Sequence, residues 1–363
     1  NATLDTTTSN YPLTVAGNTV VSGTLTGNNS TLIFGASGVH GSTEAGALHV
    51  ESGGSLTFGS GDLTAFSGFT AKGTNTVTST GGGDILIKGR TNNGFMNSHG
   101  HTGVNITGDY KIDFDTDALH DIRGNMAITA ANITYLHGGR TYSFWTTSTS
   151  DTVTFTGNLN VSGASAELNT LASGQEATDT FTVTGDVDIT GTLTSNDTTI
   201  NLKSLKINSG GTYSATSGTT TITGEATDGV CLRSNGTFTH NSGLVSIETA
   251  DHTTLVWSSA SQRFNNLTVN LGASARVCTL SGQFDSHRYV EGDFTVTNCK
   301  FDTNNAGTFR IDGDVSLTSS ATLTCGTSTC SFGSMTIASG TTLSASSGTT
   351  TITSMTSTGS GDR

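Results

Sequence analysis

The sequence predicts an all-β fold, a single elongated β-solenoid resembling a right-handed parallel β-helix, in which short strands stack turn upon turn. Three observations predict it. Runs with period-two alternation recur along the chain, among them Thr180-Phe-Thr-Val-Thr, Val187-Asp-Ile-Thr, Leu267-Thr-Val-Asn and Val315-Ser-Leu-Thr, and this alternation belongs to half-buried strands. Each run is short, rich in Val, Ile, Thr and Phe, and closed by Gly, Asn, Asp or Ser, the residues that end strands and start turns. Composition supplies the third observation. Gly accounts for 47 of 363 residues, Pro occurs once and charged residues are 12 %. Gly and Asn suit left-handed corners, and a turn that must offer its N–H groups to its neighbour excludes Pro.

The strands repeat. A unit Gly-[Asp/Asn]-apolar-x-apolar begins at Gly108, Gly124, Gly157, Gly185, Gly292 and Gly313, and its nearest spacings are 16, 21 and 28. One turn is expected to fall within that range. A longer repeat overlies them. Thr180–Thr190 matches Thr308–Thr318 at six of eleven positions, and Ser204–Thr223 matches Ser334–Thr353 at fourteen of twenty, with offsets of 128 and 130. Such units cannot close a core alone but close one by stacking, with turns about 4.8 Å apart. Repeated β-sandwich modules are the alternative architecture. The expected organisation is solenoid turns over 1–89, an irregular His- and aromatic-rich bulge over 90–145, and further turns over 146–363 carrying the internal repeat.

Charge and apolar patterning exclude other classes. Fifteen Lys and Arg against 28 Asp and Glu leave a net charge of −13, which disfavours nucleic acid as a partner because phosphate contacts need clustered cations. No apolar run approaches the length of a membrane span, and no charged segment with a following apolar one opens the chain.

Gly236-Thr-Phe-Thr-His-Asn-Ser-Gly243 followed by Arg263-Phe-Asn-Asn-Leu-Thr-Val-Asn270 resembles the repeats of long, low-complexity surface proteins of phage virions and microbial adhesins. The resemblance covers Thr180–Ser354 most clearly and the first half in style. It implies a stalk, fibre or wall-forming element, and it brings no catalytic residues to transfer.

Three groups of residues are candidates for chemistry. Cys278-Thr-Leu and Cys299-Lys-Phe share a pattern and lie one expected turn apart, so stacking places Cys278 and Cys299 on one inward face. The readings are a buried apolar ladder, since free Cys is among the most buried residues, or a disulfide between turns. Asp113, Asp115 and Asp117 alternate and would share a strand face, either as a solvated acidic stripe or as a surface calcium site. An EF-hand is excluded, because Ala118 and Gly124 occupy the positions that need Gly and Glu. The stretch 90–145 holds His99, His101, Tyr142 and Trp145, and Asn97–Thr102 reads as a loop leaving the scaffold, the usual place for binding of a glycan or partner chain.

No nucleophile elbow, zinc-protease, phosphate-loop or dinucleotide motif is present in the sequence, so an enzyme is not expected. The expected function is a structural or attachment component of an extracellular assembly. A virion fibre or appendage comes first, then an adhesin or filament subunit, then a carbohydrate- or ice-binding solenoid. Partners would be copies of itself, other subunits of the assembly, or cell-surface glycans. Its terminal turns are expected to be covered, by further chain or by other copies, because an uncovered edge pairs with strands.

Overall fold

A computed structural model describes residues 2–6, 9–35, 48–66, 68–74, 76–88, 95–113, 119–136, 141–145, 152–170, 180–196, 199–257, 262–282, 289–304 and 307–358. These residues are all β, without helix, and every strand pairing given is parallel. No helix among them is therefore long and apolar enough to cross a membrane. The chain divides into two compact units, Asn1–Thr198 and Thr199–Arg363.

In the first unit, one ladder runs through Leu4, Leu25, Leu56, Val77, Val104, Ile128, Phe155 and Val183, each in register with the next. A second runs through Leu13, Leu32, Leu63, Ile85, Tyr110, Ile133, Leu159 and Val187. A third side is formed by strands such as Leu48–Val50, Phe69–Ala71 and Thr192–Thr194. Three sides with one strand each per turn define a β-solenoid. From Leu25 onward the ladder residues are buried with 6 % exposure or less. Alternate residues point outward as Thr, Asn, Lys and Asp, so period-two alternation sorts the chain into wall and core.

The second unit repeats this plan. Its first ladder passes through Leu202, Ile222, Ile247, Val269, Val296, Leu317 and Ile337. Its second contains Thr253, Cys278, Phe301, Leu323 and Leu343. Its third contains Tyr213 over Phe238 and, further along, Phe264, Val290, Ile311, Phe332 and Ile352.

Turn length departs from the expected range. On the first unit's first ladder, the turn from Leu25 to Leu56 is longer than that range allows, and no turn is shorter than the one from Leu4 to Leu25. The close spacing of Gly108 and Gly124 is no turn at all. Gly108 precedes Tyr110 of the second ladder, whereas Gly124 precedes Met126, which pairs with Val153 on the first. The motif marks corners, and a turn has more than one corner.

Those glycines are required for close approach. A Cβ at Gly185 would strike the Gly157 carbonyl, and one at Gly313 would strike that of Gly292. Left-handed corners are filled by Gly, such as Gly210 and Gly340, and by Asn10, Asn28, Asn241, Asn298 and Asn304.

A run of Asp and Asn side chains closes one corner from turn to turn, and Asp109, Asn158 and Asp186 in it each follow a motif glycine. The Asp84 N–H donates to Asp62 Oδ1 at 3.0 Å and the Asp109 N–H to Asp84 Oδ1 at 2.8 Å. Asn132 Nδ2 then donates to Asp109 Oδ1, Asn158 Nδ2 to Asn132 Oδ1, and the Asp186 N–H to Asn158 Oδ1. The second unit builds the same device from Asn266, Asp293, Asp314 and Ser334.

The segment expected as a loop at Asn97–Thr102 lies inside the strand Phe95–Ile106, which pairs with Leu119–Leu136. Irregularity is confined to register shifts between His99 and His101 and between His101 and Val104. The alternation is interrupted there because the strand rounds a corner without leaving the wall.

Candidate functional site

The ladders bring some of the sequence-predicted residues together. His99 and Trp145 both stand in register with Arg123, one on each side, so the three occupy one column over successive turns. Tyr142 is in register with His120 and with buried Leu168, and His101 with Ala71 and Met126. Asp113 ends the strand Tyr110–Asp113, half-exposed, in register with Lys88 and Leu136. Asp115 and Asp117 lie outside the described residues. Among the described residues no group of three or more His, Cys, Asp or Glu is arranged to hold a metal ion.

Cys278 and Cys299 are both fully buried with free thiols, on adjoining turns. Cys278 is in register with Phe301 and not with Cys299. The local turn therefore runs from Cys278 to Phe301 and overshoots the second cysteine by two positions. Two residues along a strand and one strand across separate Cα atoms by about 8 Å, beyond the usual disulfide range. Both thiols are buried and free, but the two cysteines do not stand on one ladder, since Cys278 is in register with Phe301. Burial in apolar surroundings raises the Cys278 thiol well above its ordinary range, and the neighbouring Cys231 and Cys299 thiols add to the shift.

Sequence reasoning missed a polar cleft on the third side of the second unit, about 400 Å³ in volume. It forms where the ladder thins. After the strand Thr237–Thr239, the next turns contribute, among the described residues, single bridges at Phe264 and Val290. Full strands would leave no gap between turns, whereas isolated bridges do. Phe238, at 5 % exposure, forms part of the cleft wall. Behind it, Phe238, Trp257 and Phe264 pack with ring centroids 4.4–5.5 Å apart, at the close end of favourable aromatic pairs.

The polar groups of the cleft come from three successive turns. Arg263 Nη1 donates to Glu291 Oε1 at 2.8 Å, and His240 Nε2 lies 3.4 Å from Glu291 Oε2. The Ser242 N–H donates to His240 Nδ1 at 3.0 Å. The proton of the neutral ring is therefore on Nε2, facing the carboxylate. Gln262, at 7 % exposure, accepts the Ser234 hydroxyl on its Oε1, while its backbone carbonyl accepts Trp257 Nε1 at 3.1 Å. Thr237 and Thr239 are exposed at the rim. Arg263 Nε is buried without a partner among the described residues.

This arrangement positions donors and acceptors. Glu291 is the single carboxylate among the described lining residues, whereas glycoside hydrolysis ordinarily uses two. Thr237, Thr239, His240 and Arg263 lie in the stretches Gly236–Gly243 and Arg263–Asn270 singled out in the sequence. Glu291 could not be placed, because its distance from Arg263 depends on a turn whose length no motif marks.

Comparison with protein-family models, curated proteins and solved structures finds no match to this chain.

Proposed function

We propose that this chain is a non-catalytic structural and attachment component of an extracellular assembly, in the first instance a virion fibre or appendage, with an adhesin or filament subunit as the neighbouring case. The observation that carries the reading is the interchangeability of the solenoid's sides. In the second unit Leu205 sits on the ladder of Leu232 and Leu255, whereas Met335, its counterpart in the longer internal repeat, sits on the ladder of Val315 and Phe294. The same strand sequence serves on either side. A scaffold of this kind lengthens by duplication without redesign of its core, which suits a spacer. The test is immunogold electron microscopy of the source particle or cell surface with an antibody to this chain. Label along a fibre, appendage or surface layer is expected. Label confined to the cell interior would overturn the reading.

A second reading rests on a different observation. Thr221, Ser246, Thr268, Thr295, Ser316, Thr336 and Thr356 stand in one register column. Ser246 is buried and donates to Glu248, so the outward-facing run is Thr268, Thr295, Ser316, Thr336 and Thr356. The varying turn lengths, which at the level of sequence argue against a regular array, are absorbed at the corners. Such a column favours an ice- or carbohydrate-facing wall. Ice-recrystallisation inhibition at micromolar protein would support that reading, and normal crystal growth would remove its ice-facing form.

A further inference from the structure

We infer that the cleft between the strand Thr237–Thr239 and the Phe264 and Val290 bridges binds carbohydrate, and that it takes one or two residues of a neutral glycan. This deepens the attachment reading by naming the chemistry of a contact, but it rests on the cleft's own geometry.

The cleft volume of about 400 Å³ falls within the range of small-ligand sites, about 300–1,000 Å³. Its charge is balanced. The Arg263 guanidinium and Glu291 carboxylate are 2.8 Å apart, so an anion drawn to Arg263 meets Glu291, and a cation drawn to Glu291 meets Arg263. A sugar hydroxyl both donates and accepts. Adjacent hydroxyls can therefore use the guanidinium and the carboxylate together, with the rim hydroxyls of Thr237 and Thr239 beside them. A peptide side chain would need an apolar anchor pocket, and here the rings of Phe238, Trp257 and Phe264 are 5 % exposed or less.

The site is also fixed before any ligand arrives. Glu291 is held from two sides by Arg263 and His240, the His240 ring by the Ser242 N–H, and Gln262 by Ser234. Groups already held in place lose little rotamer freedom on binding, which favours affinity in a small polar site. Weak binding in the high-micromolar to millimolar range would be multiplied when several copies engage one surface.

The experiment is saturation-transfer NMR and titration calorimetry on the purified full chain. The neutral probes are the methyl glycosides of glucose, galactose, mannose and N-acetylglucosamine with their disaccharides, and the charged probes are glucuronate and N-acetylneuraminate. At least one neutral probe is expected to bind saturably. Glu291→Gln and Arg263→Met are each expected to weaken it at least tenfold. Arg310→Met, which breaks the 2.7 Å pair with Asp312 outside the cleft, should leave affinity within twofold. If Arg263→Met loses its strand circular dichroism, Glu291→Gln and Thr239→Val carry the test. No saturable binding of any neutral probe, binding of charged probes alone, or affinity undiminished by Glu291→Gln would each overturn the inference. None of these results bears on where the antibody label falls, so failure here and failure of the assembly reading remain distinct.

Discussion

Two copies of one segment occupy different surroundings in the second unit. Ser204–Thr223 is overlaid by the strands Val230–Ser234, Thr237–Thr239 and Leu244–Ile247. Its repeat, Ser334–Thr353, is overlaid only in part. Met335 pairs onward with Met355, but among the described residues no strand pairs on the far side of Thr342–Ser344 or of 350–352. Exposure follows the overlay. Leu205 and Met335 are both 1 % exposed, whereas Tyr213 and Ile222 are fully buried and their counterparts Leu343 and Ile352 are half-buried. Fourteen identities in twenty do not fix burial. In a solenoid, each turn's core is completed by the next.

The largest expected effect breaks this comparison if it fails. Ile222→Ala should destabilise the second unit by about 2–5 kcal/mol, the usual cost of truncating a fully buried branched side chain. Ile352→Ala should cost below about 1.5 kcal/mol, because much of its surface is already in water. Urea melts of the two variants in the full chain measure the difference. Equal costs would show that the end turn is covered in solution.

A matched pair of glycines sharpens the same point. Gly210 and Gly340 are repeat counterparts with φ of 86° and 76°, and a Cβ at either would meet nothing within 4 Å. Their requirement is conformational and local. Gly210→Ala and Gly340→Ala should therefore each cost about 1–2 kcal/mol, the left-handed penalty for an L-residue, and should agree within error although their neighbourhoods differ. A smaller effect is expected at the hydroxyl that only the interior copy carries. Tyr213 Oη and Thr220 Oγ1 share a buried hydrogen bond of 3.0 Å. Tyr213→Phe should cost about 1 kcal/mol by stranding Thr220, and Tyr213→Phe with Thr220→Val should recover part of it, as a double-mutant cycle would read.

The fold class is legible in the sequence because alternation and corner residues are local signals. Thr180–Ile189 alternates through both of its sides, and the corner between them is marked by Gly185-Asp186. Turn length is less legible, since Gly-Asp and Gly-Asn mark corners without saying which. Gly108 and Gly124 therefore read as one turn apart, and Cys278 aligns by pattern with Cys299 when its partner is Phe301. The cleft is the least legible. Among the described residues, its side carries single bridges at Phe264 and Val290 where a strand would otherwise lie, and a bridge carries no motif. The column of His99, Arg123 and Trp145 falls between these cases. The stretch is visible by composition, but the pairing of its members through Arg123 follows from ladder register.

The smallest expected effect asks whether contacts between turns hold as well in polar form as in apolar form. Lys111 Nζ donates to Asp84 Oδ2 at 2.6 Å and lies 3.3 Å from Asp109 Oδ2, so one ammonium joins carboxylates of two adjoining turns. Burial raises the Asp84 carboxyl, but the Lys111 hydrogen bond, the Asp109 N–H and the Lys111 charge outweigh it, leaving the carboxyl below its ordinary value of 3.8. Lys111 is raised above 10.5, first by its hydrogen bond to Asp84. The signs then fix the window. A carboxyl depressed in the folded state contributes stability above its unfolded value, and the contribution is lost as pH falls through the folded one. A raised ammonium contributes below its unfolded value, and this is lost as pH rises through the folded one. The contact should thus contribute in full between about pH 5 and pH 9 and fade on either side. Both groups are partly exposed, so the effect should be small and should shrink further in salt. Urea midpoints at pH 3, 4 and 7 for the parent and for Lys111→Met measure it. The variant should lose a little stability at pH 7, and the gap should narrow as pH falls toward 3. A constant difference across that range would mean that Lys111 acts through its aliphatic stem, packed against the wall, and not through its charge.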